Sequence, residues 1–341
     1  MERPLSATRS LASVAAAAAL LVASSLSSDL ALAGRLERDM AGARQQATRG
    51  ACQDSAQDAL RSCRNGARAS YWLALARCDN APGTEDGASA TRASAGARGG
   101  CDKAARQDQR DALALCSDQF DARARICDAL GGGPYDPAVD PANFSTTIDN
   151  PYDPMKPGTT FVYEGDRANG HEHDELHVTN ETRKIDGVEC VAVRDTSTLD
   201  GVLSEDTIDW FAQDLTGNVW YFGEESKQYS DGVLVGIEGS FLAGVDGAKP
   251  GIIMEANPKV GDLYRQEFSI GVAEDLGQVV GLNQSEKVPY TGPFSNALET
   301  FEFEALDPSS TEHKFYVPHV GFVLSVDDQT GERSELVSIS P

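Results

Sequence analysis

Methionine (4), tryptophan (3) and histidine (5) are scarce in this chain of 341 residues, and Lys+Arg (29) are far outnumbered by Asp+Glu (53). The acidic excess repels polyanions, so neither nucleic acid nor an anionic membrane surface is expected as a partner. Beyond residue 26 no run of about 18 apolar residues occurs, and no transmembrane helix is expected in the body of the chain. No Cys-x-x-Cys spacing sets two thiolates on one ion. Gly-x-Ser-x-Gly, His-Glu-x-x-His, phosphate-loop, dinucleotide and calcium-loop motifs are missing too, which removes the enzyme classes they mark.

What is present begins with an export pattern. Arg3 and Arg9 precede the apolar run "LASVAAAAALLVASSL" (11–26), and Ala31-Leu32-Ala33 supplies small residues before Gly34. This reads as a signal peptide, residues 1–33, with cleavage near Ala33 and a secreted or periplasmic product. An anchor that is never cleaved is the alternative. Cys52, the first cysteine, lies far beyond the cleavage site, which argues against lipid attachment.

Charge then divides the chain. Residues 34–130 hold 15 Lys+Arg against 13 Asp+Glu, whereas residues 131–341 hold 12 against 38. A nearly neutral region, 34–130, is thus followed by a Gly/Pro/Asp-rich linker and lead-in loop, 131–158, and an acidic region, 159–341.

Six of the seven cysteines are placed symmetrically about a Gly/Ala/Ser loop, 78–101. Cys78, Cys63 and Cys52 on one side mirror Cys101, Cys116 and Cys127 on the other, with steps of 15 and then 11 residues. Segments 35–79 and 102–130 are rich in Ala, Arg, Gln and Leu and free of proline, the composition of helices. Eleven residues is close to three helical turns and fifteen is slightly over four, so the cysteines of each helix share a face. In an antiparallel pair, facing positions have a constant sum of residue numbers, and all three pairs add to 179. The spacing predicts an αα-hairpin with disulfides Cys52–Cys127, Cys63–Cys116 and Cys78–Cys101, in keeping with an oxidising compartment. Leu60, Ala67, Leu73, Leu75, Leu113 and Leu115 are expected on its inner face, a thin core that the disulfides reinforce. Soft-metal storage is the competing use of these thiolates. Cys190, in "GVECVAVRD", reads as a small buried strand residue.

From Thr159 the pattern turns to apolar/polar alternation with Asp-Gly and Thr-Gly-Asn turns, about twelve short antiparallel strands. The fold class is therefore α+β: a disulfide-linked helical hairpin followed by an all-β antiparallel domain, either a sandwich or a strongly curved sheet or barrel. Alternation sets Trp210 opposite Phe211, and Tyr221 opposite Trp220 and Phe222. Aromatics thus lie on both faces, one forming core and the other a candidate groove for an apolar or glycan-like ligand.

The blocks "NPYDPMKPGTTFVYEG", "DWFAQDLTGNVWYFGE", "GAKPGIIM" and "KFYVPHVGFVLS" resemble those of an uncharacterised group of secreted bacterial β-rich proteins. The resemblance spans residues 149–326 and leaves out the hairpin; it implies a β-rich fold and no activity. This chain has Pro318-His319-Val320-Gly321 where the group has Pro-Gly-Val-Gly.

One strand carries metal-ligating residue types. His171, His173, Glu175 and His177 in "GHEHDELHV" have one parity, so a β-strand projects all four from one face at intervals of about 6.6 Å. Such a row holds a transition-metal ion with an open position, or forms the wet tip of a hairpin turning at Asn169-Gly170. The His-x-His spacing is similar to that of the cupins, but His177 stands where cupins carry Glu. His313 and His319 join such a site only if the chain bends at Pro318. Glu302 and Glu304 share a strand face, a pairing that any acidic domain produces often.

These features favour an exported, non-catalytic binding or envelope-associated protein with no cofactor, whose partner is a small molecule, a glycan or an envelope protein. A metal-dependent enzyme built on the His171 strand is one competing class, and a purely structural envelope component is another.

Overall fold

A computed structural model of the chain describes residues 50–80 and 90–341. The leader at 1–33, with its cleavage site at Ala33, lies outside the described residues. No described helix is long and apolar enough to cross a membrane.

Two helices open the described chain, α1 (Ala51–Asp79) and α2 (Ala90–Leu130). They form the expected antiparallel hairpin with the three expected disulfides, each with a Cα–Cα separation of 5.7 Å. The repeat of that distance follows from the constant sum: every bridge joins positions at the same level of a straight pair. The loop is shorter than composition implies, because α2 starts at Ala90 and runs through Gly99 and Gly100. Each glycine costs about 1 kcal/mol against alanine in a helix, offset here by the Cys78–Cys101 bridge and the Arg98–Asp79 ion pair. Gly50 ends the hairpin where the Cys52 N–H donates to the Gly132 carbonyl (3.1 Å). A side chain there would place its Cβ 2.0 Å from that oxygen.

The hairpin core is thin. Leu60 and Ala67 are buried, but Leu73 (59 % exposed) and Leu115 (42 %) face solvent, against expectation. Leu115 precedes Cys116 by one position, a turn of about 100°, and Leu73 is five positions from Cys78, so neither lies on the cysteine stripe.

After the hairpin, a 3-10 turn (Pro141–Asn143), capped by the Asp140 carboxylate, leads into β1 (Phe144–Ser145). Segment 131–158 is less a linker than a strap: Val139 and Phe144 pack over the outer sheet face formed by Trp210, Ala212 and Phe222. Sixteen further strands follow: β2 (Thr160–Arg167), β3 (Gly170–Ile185), β4 (Val188–Leu199), β5 (Val202–Asp214), β6 (Val219–Glu225), β7 (Gln228–Ser230), β8 (Val233–Gly236), β9 (Phe241–Leu242), β10 (Lys249–Met254), β11 (Leu263–Arg265), β12 (Glu267–Phe268), β13 (Asp275–Val288), β14 (Gly292–Glu304), β15 (Thr311–Val317), β16 (Gly321–Asp327) and β17 (Arg333–Ser340). Successive antiparallel ladders run from β2 to β6, then to β10, and from β13 to β17. The last strand pairs with the first of the series, Leu336 opposite Tyr163, and closes that side. On the other side β10 pairs with β12 and β11 with β13, with only Gln266 between β11 and β12. Of the open alternatives the sheet is barrel-like and nearly closed.

Gly251 permits that near closure. A Cβ on it would lie 2.2 Å from the Gln266 carbonyl oxygen, so the strand change at Gln266 fits only against a residue without a side chain.

The hairpin packs on the outer face of β13 and β14. Ala122 and Ile126 of α2 meet Leu276 and Ala305, and the Gln119 amide donates to the Leu306 carbonyl at 2.7 Å. At the centre of the contact Arg123 donates to both Glu274 oxygens, at 2.6 and 2.8 Å, with side chains only 8 % and 3 % exposed.

Two outcomes are expected. Thiol titration of denatured, unreduced protein finds one free sulfhydryl per chain, that of Cys190; a second free thiol contradicts the pairing. Arg123→Ala leaves the Glu274 carboxylate buried without its cation and lowers stability by about 3–5 kcal/mol in chemical denaturation, whereas Arg123→Met/Glu274→Leu recovers most of the loss.

Candidate functional site in the barrel lumen

In an antiparallel ring every strand has an inward row, and the rows here share one order. Along β3 the row is Glu172, Asp174, Leu176, Val178; along β4 it is Val191, Val193, Asp195, Ser197; along β5 it is Glu205, Thr207, Asp209, Phe211. The apolar members meet Tyr221, Met254, Val279, Leu298 and Tyr316 in one core. Because neighbouring strands run oppositely, the acidic ends of all these rows gather at one end of the barrel. Glu224 of β6, opposite Asp209, joins them, as do Asp275 and Glu302 of the β13–β14 pair.

The loop "NPYDPM" reaches into this interior from the side. Asn150, 2 % exposed, anchors it by donating to the Gly217 and Glu255 carbonyls (2.8 and 3.1 Å). Tyr152 and Met155 pack on the apolar core. Asp153 and Asp209 border a cavity of about 80 Å³ closed by Tyr163, Phe211 and Phe322.

The carboxyl groups are set against one another. The Tyr221 hydroxyl lies 2.5 Å from Asp209 Oδ1 and 3.1 Å from Glu224 Oε2. The two acids compete for one phenolic proton, an arrangement that favours a proton on one of them. Burial pushes both up, Glu224 to about 7 and Asp209 well above its ordinary range. Burial, with the charges of Asp174 and Glu205 beside it, raises Asp195 to about 7. Asp153 rises to about 7 through burial and the neighbouring Glu302. Glu267 and Asp275 are hydrogen-bonded to each other, and Glu267 is held well above the carboxylate range by burial and then by the Asp275 charge. A belt of acids thus runs around the lumen.

A single lysine faces this belt among the described residues. Lys314 Nζ lies 2.8 Å from Glu302 and 3.1 Å from Glu312. Burial opposes its charge, but the two carboxylates outweigh that effect and raise its pKa. Two donors remain unused: the Tyr264 hydroxyl and the Gln266 side-chain amide have no hydrogen-bond partner among the described residues, although these residues are 7 % and 3 % exposed. Both lie over Gly277, where an added Cβ would sit 3.0 Å from the Tyr264 ring and 3.2 Å from Gln266 Nε2. They point into the lumen.

Of the residues singled out in the sequence, Phe211, Tyr221 and Glu302 belong to this lumen, whereas the histidine row lies elsewhere. His171, His173, Glu175 and His177 do share the outer face of β3, but their partners are separate. His171 meets Asp166 at 2.8 Å, His173 lies between Glu164 (3.5 Å) and Glu175 (3.3 Å), and His177 meets the Thr160 hydroxyl at 2.8 Å. The Asp166 hydrogen bond raises the His171 pKa. Among the described residues no group of three or more His, Cys, Asp or Glu is arranged to hold a metal ion. His313 pairs with Glu299 at 2.8 Å. His319 takes a left-handed backbone (φ 66°) at its corner and donates its N–H to the Pro151 carbonyl.

The five aromatics are divided between two interiors. Phe211 and Tyr221 stack at 4.8 Å inside the barrel, while Trp210, Trp220 and Phe222 lie on the outer face under the 131–158 strap. Trp220 also donates its ring N–H to Asp214 (2.8 Å). They share no open groove.

No protein-family profile matches the chain, and no curated protein does. A solved structure with some likeness, a "putative lipoprotein" from Parabacteroides distasonis ATCC 8503, is 12 % identical over 55 % of this chain and 98 % of its own, with a TM-score of 0.30. An overlay that loose carries nothing over to this protein.

The lumen acids make stability depend on pH with a defined sign. Carboxyls at about 7 in the folded protein (Asp153, Asp195, Glu224) hold protons that the unfolded chain, titrating near 4, has already released. Their contribution is full below about 4 and is lost as pH rises through about 7. The unfolding temperature is expected to fall between pH 5 and pH 8, and Asp195→Asn to flatten that fall; a profile that rises with pH counts against the assignment.

Proposed function

We propose that the protein is a non-catalytic binding protein of an extracytoplasmic compartment, and that the barrel lumen takes a small organic cation such as a protonated primary amine. The observation that carries this is the acid belt, in which buried oxygens of Asp174 and Asp195 have no hydrogen-bond partner among the described residues, while the cations beside it, Lys314 and Arg167, are already paired with Glu302, Glu312 and Glu172. Adjacent carboxyls at low dielectric keep protons because they repel one another, and an ammonium group relieves that repulsion while accepting none of their hydrogen bonds. The 80 Å³ space beside Asp153 and Asp209 suits a headgroup of a few atoms and excludes a glycan. Three disulfides and the leader pattern support export.

Calorimetric titration with ethylamine, ethanolamine and putrescine tests this. One-to-one binding is expected, tighter at pH 8 than at pH 6 and accompanied by proton release, because binding competes with the lumen protons. It weakens about tenfold in Asp209→Asn, the loss typical of one charged partner. No binding at either pH, or tighter binding at pH 6, sinks the reading.

A further inference from the structure

A second compartment lies behind the lumen wall, where the hairpin meets the barrel. It is a cavity of about 180 Å³ between α1, α2, the Gly131–Tyr135 segment and strands β11 to β13. Its walls are mainly apolar, with Ala56, Ile126, Leu130, Phe268 and Ile270 among them. Three charged groups face it: Arg123, Arg265 and Glu274.

The charges do not cancel. Glu274 is fully engaged, accepting from Arg123 at 2.6 and 2.8 Å and from the Gly271 N–H at 2.7 Å. Arg265 is 7 % exposed; its side chain makes no hydrogen bond and has no carboxylate within ion-pair distance among the described residues, and the nearby Glu274 charge that acts on it is the one already taken by Arg123. Its guanidinium carbon stands 4.6 Å from the Phe268 ring centre and 5.5 Å from that of Tyr135. The Tyr135 hydroxyl is committed to the Pro250 carbonyl at 3.0 Å. Aromatic rings thus satisfy the faces of the guanidinium and leave its in-plane N–H edge unused. That edge is the part that matches a carboxylate bidentately. Burial lowers the Arg265 pKa, yet guanidinium remains charged at any physiological pH. A buried cation without a counter-ion is costly, and a ligand that supplies one negative charge removes the cost.

We infer that this cavity is a binding site for a small monocarboxylate with an apolar body, its carboxylate on the Arg265 edge and its hydrocarbon part against Ile126, Leu130 and Ile270. Two guanidinium groups against one carboxylate leave one positive charge, which calls for a monoanion. The volume sets the size: a dry apolar cavity of about 150 Å³ holds benzene, so about 180 Å³ suits a ring or short branched chain bearing a carboxylate. Neither the lumen acids nor the amine reading enters this inference.

The test uses the full disulfide-bonded chain and titration calorimetry with benzoate, hexanoate, benzyl alcohol, benzylamine and inorganic phosphate. Benzoate or hexanoate is expected to bind one-to-one, with the uncharged and cationic analogues at least about tenfold weaker. Arg265→Gln weakens benzoate by a similar factor while leaving benzyl alcohol unchanged. Because that variant alters a buried position, Ser55→Trp serves as a second: Ser55 is an exposed residue at the cavity wall, and an indole there blocks access with the unfolding temperature unchanged. Equal binding of benzoate and benzyl alcohol makes the cavity merely apolar and overturns the assignment. So do tighter binding of phosphate, undiminished benzoate binding in Arg265→Gln, or no binding at all.

Discussion

The ladder between β17 and β2 is the constraint on which the rest depends. Without it the sheet has two free edges and a concave face open to water; with it, inward and outward become different environments for every strand. Pairing also removes the unpaired N–H and C=O rows that make an edge prone to adding foreign strands. Alternation along each strand then decides which side chains are enclosed. The acidic character of the lumen is thus a consequence of closure as much as of composition. On an open sheet the same Asp195, Asp209 and Glu224 are solvated and titrate in the ordinary carboxylate range.

The hairpin depends on the barrel in a different way. Its own buried side chains are few and small, and three disulfides hold the helices in register by restricting the unfolded chain. What fixes the hairpin to the barrel is the apolar contact of Ala122 and Ile126 with Leu276 and Ala305, together with the Arg123–Glu274 pair. A buried ion pair is a poor source of net stability but a strong source of specificity, since any misplacement leaves two charges uncompensated. The pair therefore sets where α2 sits on the wall, and the cavity beside it inherits that geometry.

Much of this was legible in the residues. The constant sum of the cysteine numbers specified all three disulfides, because two straight helices leave no freedom once one bridge is placed. Alternation gave the antiparallel β region, but not closure, which depends on Gly251 and Gln266, residues without a local signature. The histidine row was read correctly as one face of a strand. Its separate partners Asp166, Glu164 and Thr160 come from β2, a pairing that periodicity within β3 does not reveal. The acid belt had a signal that went unused: several strands carry apolar residues at one end of a single parity row and acids at the other. Taken strand by strand, "VAVRDTS" and "EDTIDWF" look like ordinary surface strands; aligned by direction, their acids coincide. The aromatic pair Trp210 and Phe222 looked free for a ligand because nothing local shows that residues 139–144 cover them.

Strand β11 is only three residues long, and its neighbours Tyr264 and Arg265 point to opposite sides of the wall. Asp275 and Glu274 do the same one strand away. The barrel wall at this place is therefore an electrical partition: carboxyl groups crowd one surface while an uncompensated guanidinium occupies the other, across the thickness of one peptide plane. The two ligands proposed above, one cationic and one anionic, would thus sit on opposite sides of a single strand, with no gate or moving part required.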